Sequence, residues 1–180
     1  MSRNFGFVTY DRVDAIGTNA KMTELSAALG LTNLESVHEF IEVNLRHERQ
    51  YRGELAGLPG VAVLVHDERD TSNHHYLVID IDPAEAALTR DEMMAVLHAE
   101  GVLARRYFFP GCHLTEPYRS RPGGIRPLPV TEMVANRVLC LPTGTAIGPE
   151  EISRICAVVR LALDSAGDVR RALGPAQVSS

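Results

Sequence analysis

GTNAKMTELSAALG, residues 17–30, decides how the chain is read. Gly17, Thr18 and Asn19 have turn and cap chemistry, and asparagine is among the best residues for closing the N-terminus of a helix. Helical periodicity begins near Asn19. Met22, Leu25, Leu29 and Leu31 fall on one stripe, with Ala27 and Ala28 beside it. Gly30 predicts a kink or break. A second helix is predicted over 33–55, with Leu34, Val37, Phe40, Ile41 and Leu45 on its apolar face. Gly57, Pro59 and Gly60 end it. Upstream, residues 1–18 read as an irregular lead-in.

Downstream the period changes. Val61–Val65 is a compact apolar run, 66–73 a polar connection, and His75–Asp82 (HYLVIDID) a second strand. Thr89 followed by Glu92 is a capping-box pattern ahead of Met93, Met94, Val96 and Leu97, and Gly101 stops that helix. Val102–Phe109 reads as a third strand leading into a Pro-, Gly- and Arg-rich loop over 110–129. A short helix at 131–136, a strand at 138–141 and a final helix opening at Pro149 complete the pattern. Glu150 and Glu151 suit the dipole in that helix's first turn. Its buried stripe is Ile152, Ile155, Cys156, Val159 and Leu163. Beyond Gly167 a flexible tail is expected. The fold class is α/β or α+β, with long helices first and then a small mixed sheet covered by helices on one face. The expected divisions are 1–56 (lead-in and connecting helices), 57–166 (small α/β domain) and 167–180 (tail).

A net charge of −5 argues against nucleic acid and anionic membrane as partners, and no apolar run is long enough to span a bilayer. Cys112, Cys140 and Cys156 are widely spaced and odd in number, which suits reduced thiols in the cytoplasm. Of 18 basic residues the only lysine is Lys21. That limits the chemistry, because a Schiff base to a carbonyl cofactor needs a lysine amine and arginine cannot supply one.

Five segments, in order, resemble the DegT/DnrJ/EryC1/StrS family of sugar-nucleotide aminotransferases. The most specific is residues 17–30, which match G-x-N-x-[KR]-M-[ST]-E-x-x-A-A-x-G at every marked position. The others are Asn4–Phe7 (NFGF), Glu48–Val61 (ERQYRGELAGLPGV), Ala104–Arg119 (ARRYFFPGCHLTEPYR) and Leu128–Pro142 (LPVTEMVANRVLCLP). The resemblance implies the small C-terminal domain of a fold-type I aminotransferase that depends on pyridoxal 5'-phosphate (PLP). The family's Schiff-base lysine precedes the NFGF stretch. The chain is therefore expected to lack it and to be inactive alone, working with a separate N-terminal half. The alternative is a non-catalytic partner subunit or a truncated remnant that pairs with an intact or N-terminal aminotransferase chain. The implied substrates are a keto-sugar nucleotide and an amino-acid amino donor, and the implied assembly is a homodimer or a pairing with the missing half. Cut from a large domain, the chain would expose Met22, Leu25, Leu29 and Phe40 and associate through them.

The candidate site residues follow. By resemblance Asn19 reaches the PLP phosphate of the neighbouring subunit; by residue type it is equally a helix cap. Lys21 is implied near the phosphates, or is a solvated first-turn lysine. Tyr107 and His113 are implied to face the sugar, and Arg105 or Arg106 its phosphates; otherwise Tyr107 and Phe109 are strand core and His113 caps a turn. Arg119, Arg121 and Arg126 are either diphosphate ligands or loose surface charge. His66, His74 and His75 show no metal-ligand spacing, and adjacent strand residues point to opposite faces, so no metal is expected. Asp80, Asp82, Glu85 and Asp91 read as a solvated acidic face.

Overall fold

The computed structural model describes residues 22–67, 69–116, 118–121 and 126–174, and the backbone of Phe7–Thr9 and Arg12–Val13. It divides into two compact units, Met1–Glu39 and Phe40–Ser180.

In the first unit, β1 (Phe7–Thr9) and β2 (Arg12–Val13) pair antiparallel, where the sequence suggested only irregular chain. The expected helix start at Asn19 lies outside the described residues. Helix α1 (Glu24–Glu54) begins at Thr23, whose Oγ1 accepts from Ser26 N at 3.1 Å. The helix runs through Gly30 without interruption, which corrects the predicted break. One glycine costs about 1 kcal/mol in a helix interior, and a 31-residue helix absorbs it. Met22, Leu25, Leu29 and Leu31 are exposed rather than packed, at 61–82% of their full surface.

In the second unit, β3 (Val61–Val63), β4 (Leu77–Ile81) and β5 (Val138–Leu141) form a sheet in the order β3-β4-β5. Both pairings are antiparallel, so the sheet is not mixed. Val61 faces Ile81, and Leu77 faces Leu141. Alternation along β4 buries Leu77, Ile79 and Ile81 on one face. Short α2 (Pro83–Ala86) leads to α3 (Arg90–Ala99); α4 (Pro129–Arg137), α5 (Pro149–Asp164) and α6 (Ala166–Leu173) follow. Ile79, Ile81, Leu139, Met93, Leu97, Ile152 and Val159 are fully buried in one core. Removing such side chains from water supplies roughly 1.5–3 kcal/mol each. No described helix is long and apolar enough to cross a membrane.

Two further expectations fail in the second unit. The predicted strand over 102–109 reduces to a single bridge between Arg105 and Cys140. Past it the backbone turns, with Phe109 N bonded to Arg106 O at 2.9 Å, and Pro110 has no N–H to continue a ladder. Residues 166–173 form α6, with Val169 packed against the core, where a flexible tail was expected. The predicted capping box is present. Thr89 Oγ1 accepts from Glu92 N at 3.2 Å, and Thr89 N donates to the Glu92 carboxylate at 2.7 Å. Thr89→Ala is therefore expected to lower stability by about 1 kcal/mol in urea unfolding, with an unchanged m-value.

Candidate functional site

The loop leaving β5's edge carries most of the predicted site. Its first residues are pinned at three points. His98, in the last turn of α3, donates to Ala104 O at 2.8 Å, and Arg105 exchanges backbone hydrogen bonds with Cys140 at 3.0 and 2.8 Å. From that anchor Arg105 projects into solvent, and its NH1 donates to the Tyr107 hydroxyl at 2.9 Å. Tyr107 lies edge-on to Tyr76 of the neighbouring segment, with centroids 5.7 Å apart, and stacks on Phe108 at 5.0 Å. Arg105 and Tyr107 are thus brought together as one polar, aromatic patch. Tyr107 is half-buried on this patch and is not a core strand residue.

Behind the patch the loop is held by cations. Arg90 and Arg106 each lie 4.9 Å from the centroid of the Phe109 ring. Both approach Asp91, at 2.7 and 3.2 Å. Arg90 is 1% exposed, and its NH1 donates to Ala135 O and Val138 O. Burial pushes the Arg90 guanidinium below its ordinary range, and the Asp91 charge opposes that shift. Sequence reading missed Arg90, because an arginine next to Asp91 at a helix start looks like surface charge.

His113 does not join Arg105 and Tyr107 in any described contact. It follows a turn at Gly111 (φ +57), in a 3₁₀ segment (Cys112–Leu114), and donates to Glu132 at 3.1 Å. Both line a cavity of about 180 Å³ with Phe109, Pro110, Ala135 and Asn136. The Leu128 N–H and then His113 hold the Glu132 carboxyl below its usual range. Asn19 and Lys21 lie outside the described residues. Arg119 pairs with Glu116, Arg121 lies over Tyr118 at 5.8 Å, and both stay exposed. The acidic run is partly paired rather than only solvated. Arg137 takes Asp80 through two bonds of 2.8 Å and reaches Asp82 at 3.0 Å.

A second polar cluster had no counterpart in the sequence reading. The buried face of α1 in the second unit is Asn44, His47, Glu48 and Tyr51. Asn44 donates to Asn73 O at 3.1 Å, Tyr51 to Pro142 O at 3.0 Å, and His47 lies 3.3 Å from the Thr143 hydroxyl. Burial, then Arg46, pushes the His47 imidazole down. A groove of about 630 Å³ between Val102, Leu103, Pro142, Ile155 and Val158 is mainly apolar and holds none of the predicted site residues.

PLP held as an imine requires a lysine, and the described residues include none. They do not fit the cofactor in that role. They do present donors for an anionic, hydroxylated ligand at Arg105 and Tyr107.

The DegT/DnrJ/EryC1/StrS aminotransferase family matches residues 1–160. The chain is 28% identical over 158 residues to a dTDP-4-amino-4,6-dideoxy-D-glucose transaminase from Shigella dysenteriae, covering 88% of this chain and 42% of the relative. It is 32% identical over 154 residues to the Escherichia coli enzyme of the same name, covering 85% and 41%. Among solved structures it is similar to that of DesI in the presence of its TDP-sugar product. The identity there is 48% and the TM-score 0.82, covering 93% of this chain and 42% of that one. The chain thus spans about two-fifths of the length of the curated relatives it matches. It belongs to the DegT/DnrJ/EryC1/StrS aminotransferase family.

Proposed function

We propose that this chain is the C-terminal portion of a PLP-dependent transaminase acting on a keto-sugar nucleotide in amino-sugar biosynthesis, and that it has no turnover by itself. The observation that carries the second half is the lysine count: Lys21 is the only lysine in 180 residues. The relatives named as sugar transaminases and the DesI–product structure support the first half.

In this reading the chain binds and orients rather than carrying the cofactor. Arg105 pairs with a phosphate oxygen through donors left over from its bond to Tyr107, and the Tyr107 hydroxyl, held by that bond, meets the sugar or its diphosphate. His113, held by Glu132, is the third group of this reading that meets the sugar nucleotide. Asn19 reaches the PLP phosphate of a neighbouring subunit, and Lys21 adds positive charge near the phosphates. The groups that hold PLP come from the remaining portion of a family aminotransferase, in the same polypeptide or in another. The exposed apolar residues of the first unit (Met22, Leu25, Leu29, Leu31 and Leu34) favour association over a solitary life in water.

The test is to supply the missing half. Purified chain, a PLP-loaded large domain of this family, glutamate and a dTDP-keto-sugar are assayed together and separately. Transamination is expected only in the mixture, and turnover by the chain alone contradicts the proposal. In the active mixture, Tyr107→Phe should raise KM for the sugar nucleotide roughly tenfold, the worth of one hydrogen bond to a charged group. The melting temperature of the chain should not change, because the Tyr107 hydroxyl supports no core contact.

A further inference from the structure

Outside the substrate patch, the fold gathers three ligand-type side chains that lie far apart in sequence. Glu48 sits on the buried face of α1, while His66 and His74 sit on the two arms of the connection between β3 and β4. One donor atom from each lies within 4.8 Å of the other two. His74 Nδ1 donates to Glu48 Oε2 at 2.7 Å, and the His66 and His74 rings are 5.5 Å apart, edge to face.

The surroundings hold this arrangement in place. One turn before Glu48, Asn44 donates to Asn73 O, which fixes the backbone just ahead of His74. His74 N donates to Ser72 Oγ, and His75 N to Asn73 Oδ1, both at 3.1 Å. His74 itself is held at φ +50, in the left-handed region that non-glycine residues seldom adopt. The gradient of burial runs from Glu48 (buried) through His74 (half-buried) to His66 (exposed), so the cluster opens outward on one side. Among the described residues, no arginine pairs with Glu48; its ion-pair partner is His74.

We propose that Glu48, His66 and His74 form a binding site for a divalent first-row metal ion, with Zn²⁺ the best match. Two imidazoles and one carboxylate are the donor set of many three-ligand zinc sites, which keep a fourth position for water. Tetrahedral geometry at ~2.1 Å from the metal spaces donors roughly 3.4 Å apart. The His74–Glu48 pair opens slightly to reach that spacing, and the exposed His66 ring closes onto it. The ion replaces the proton now shared between His74 and Glu48, so no buried charge is stranded. Its structural effect is to clasp the β3–β4 connection onto α1.

The site is tested by metal titration of the untagged, chelator-treated chain carrying Cys112→Ser, which removes the exposed thiol as a competing soft ligand. Zn²⁺ is followed by calorimetry and Co²⁺ by its visible spectrum, at pH 7.5. One equivalent per chain is expected, with micromolar affinity and the absorption of a low-coordinate nitrogen and oxygen site. His66→Ala should weaken binding roughly tenfold or more. Because His66 is exposed, the metal-free variant should keep the parent circular dichroism spectrum and melting temperature. Zn²⁺ should raise the melting temperature of the parent more than that of His66→Ala at the same concentration. His75→Ala, as a neighbouring control, should bind as the parent does. Absence of stoichiometric binding, or equal binding by His66→Ala, overturns the proposal.

Discussion

Gly60→Ala should cost the fold about 3–4 kcal/mol, a loss at the upper end for a single substitution. Gly60 sits at φ +66 in the turn before β3 and accepts from Asp82 N at 2.8 Å. The left-handed conformation alone costs an alanine about 1–2 kcal/mol. Steric crowding costs more. A Cβ there would stand 2.3 Å from Ala86 N, 2.7 Å from Asp82 O and 2.9 Å from Ala86 Cα. All three are backbone atoms of the Asp82 cap and α2, so relief requires moving α2 away from β3. Gly57, at φ +76 with nothing within 4 Å, is the matched control. Gly57→Ala bears only the backbone strain, about 1–2 kcal/mol. Urea unfolding of the two variants separates strain from crowding, and equal losses would mean that the close approach to α2 is relieved without cost.

Arg90→Ala should cost about 3 kcal/mol, the size associated with removing one partner from a buried charged network. The guanidinium satisfies Ala135 O and Val138 O and lies against Phe109. Its loss leaves two carbonyls unpaired at the junction of α4 and β5, and a cavity beside the loop. Arg90→Met tests the cause. It fills the volume without a charge to desolvate, and a buried ion replaced by an apolar side chain is often close to neutral. A methionine variant within about 1.5 kcal/mol of the parent assigns the alanine loss to packing. A loss equal to that of alanine assigns it to the two carbonyls. In the mixture that tests the proposed function, both variants should also raise KM for the sugar nucleotide, because Phe109 belongs to the loop that presents Arg105 and Tyr107.

Much of the second unit was legible in the sequence because its signals are local. The Thr89–Glu92 box set the start of α3, Pro149 with Glu150 and Glu151 set α5, and the runs read at 61–65, 75–82 and 138–141 contain the strands found at 61–63, 77–81 and 138–141. What failed depended on context. Gly30 looked like a break, but a helix already long on either side tolerates it. Residues 102–109 looked like a strand because Val102, Leu103, Tyr107, Phe108 and Phe109 are strand formers, yet only Arg105 finds a ladder partner, and the turn at Arg106–Phe109 removes the rest. The pairing of Arg105 with Tyr107 could be anticipated from their two-residue spacing. The polar face of α1 could not. Asn44, His47 and Glu48 on a helix read as a solvated side, and their partners, Asn73, Thr143 and His74, lie 26 to 99 residues away.

The most direct test of the central claim, that this chain orients substrate but does not itself carry the cofactor as an imine, is chemical trapping. Folded chain is incubated with PLP, reduced with borohydride and mapped by mass spectrometry. No stoichiometric adduct is expected. Specific labelling of Lys21 at one equivalent per folded chain would contradict the claim and place a cofactor site in this chain.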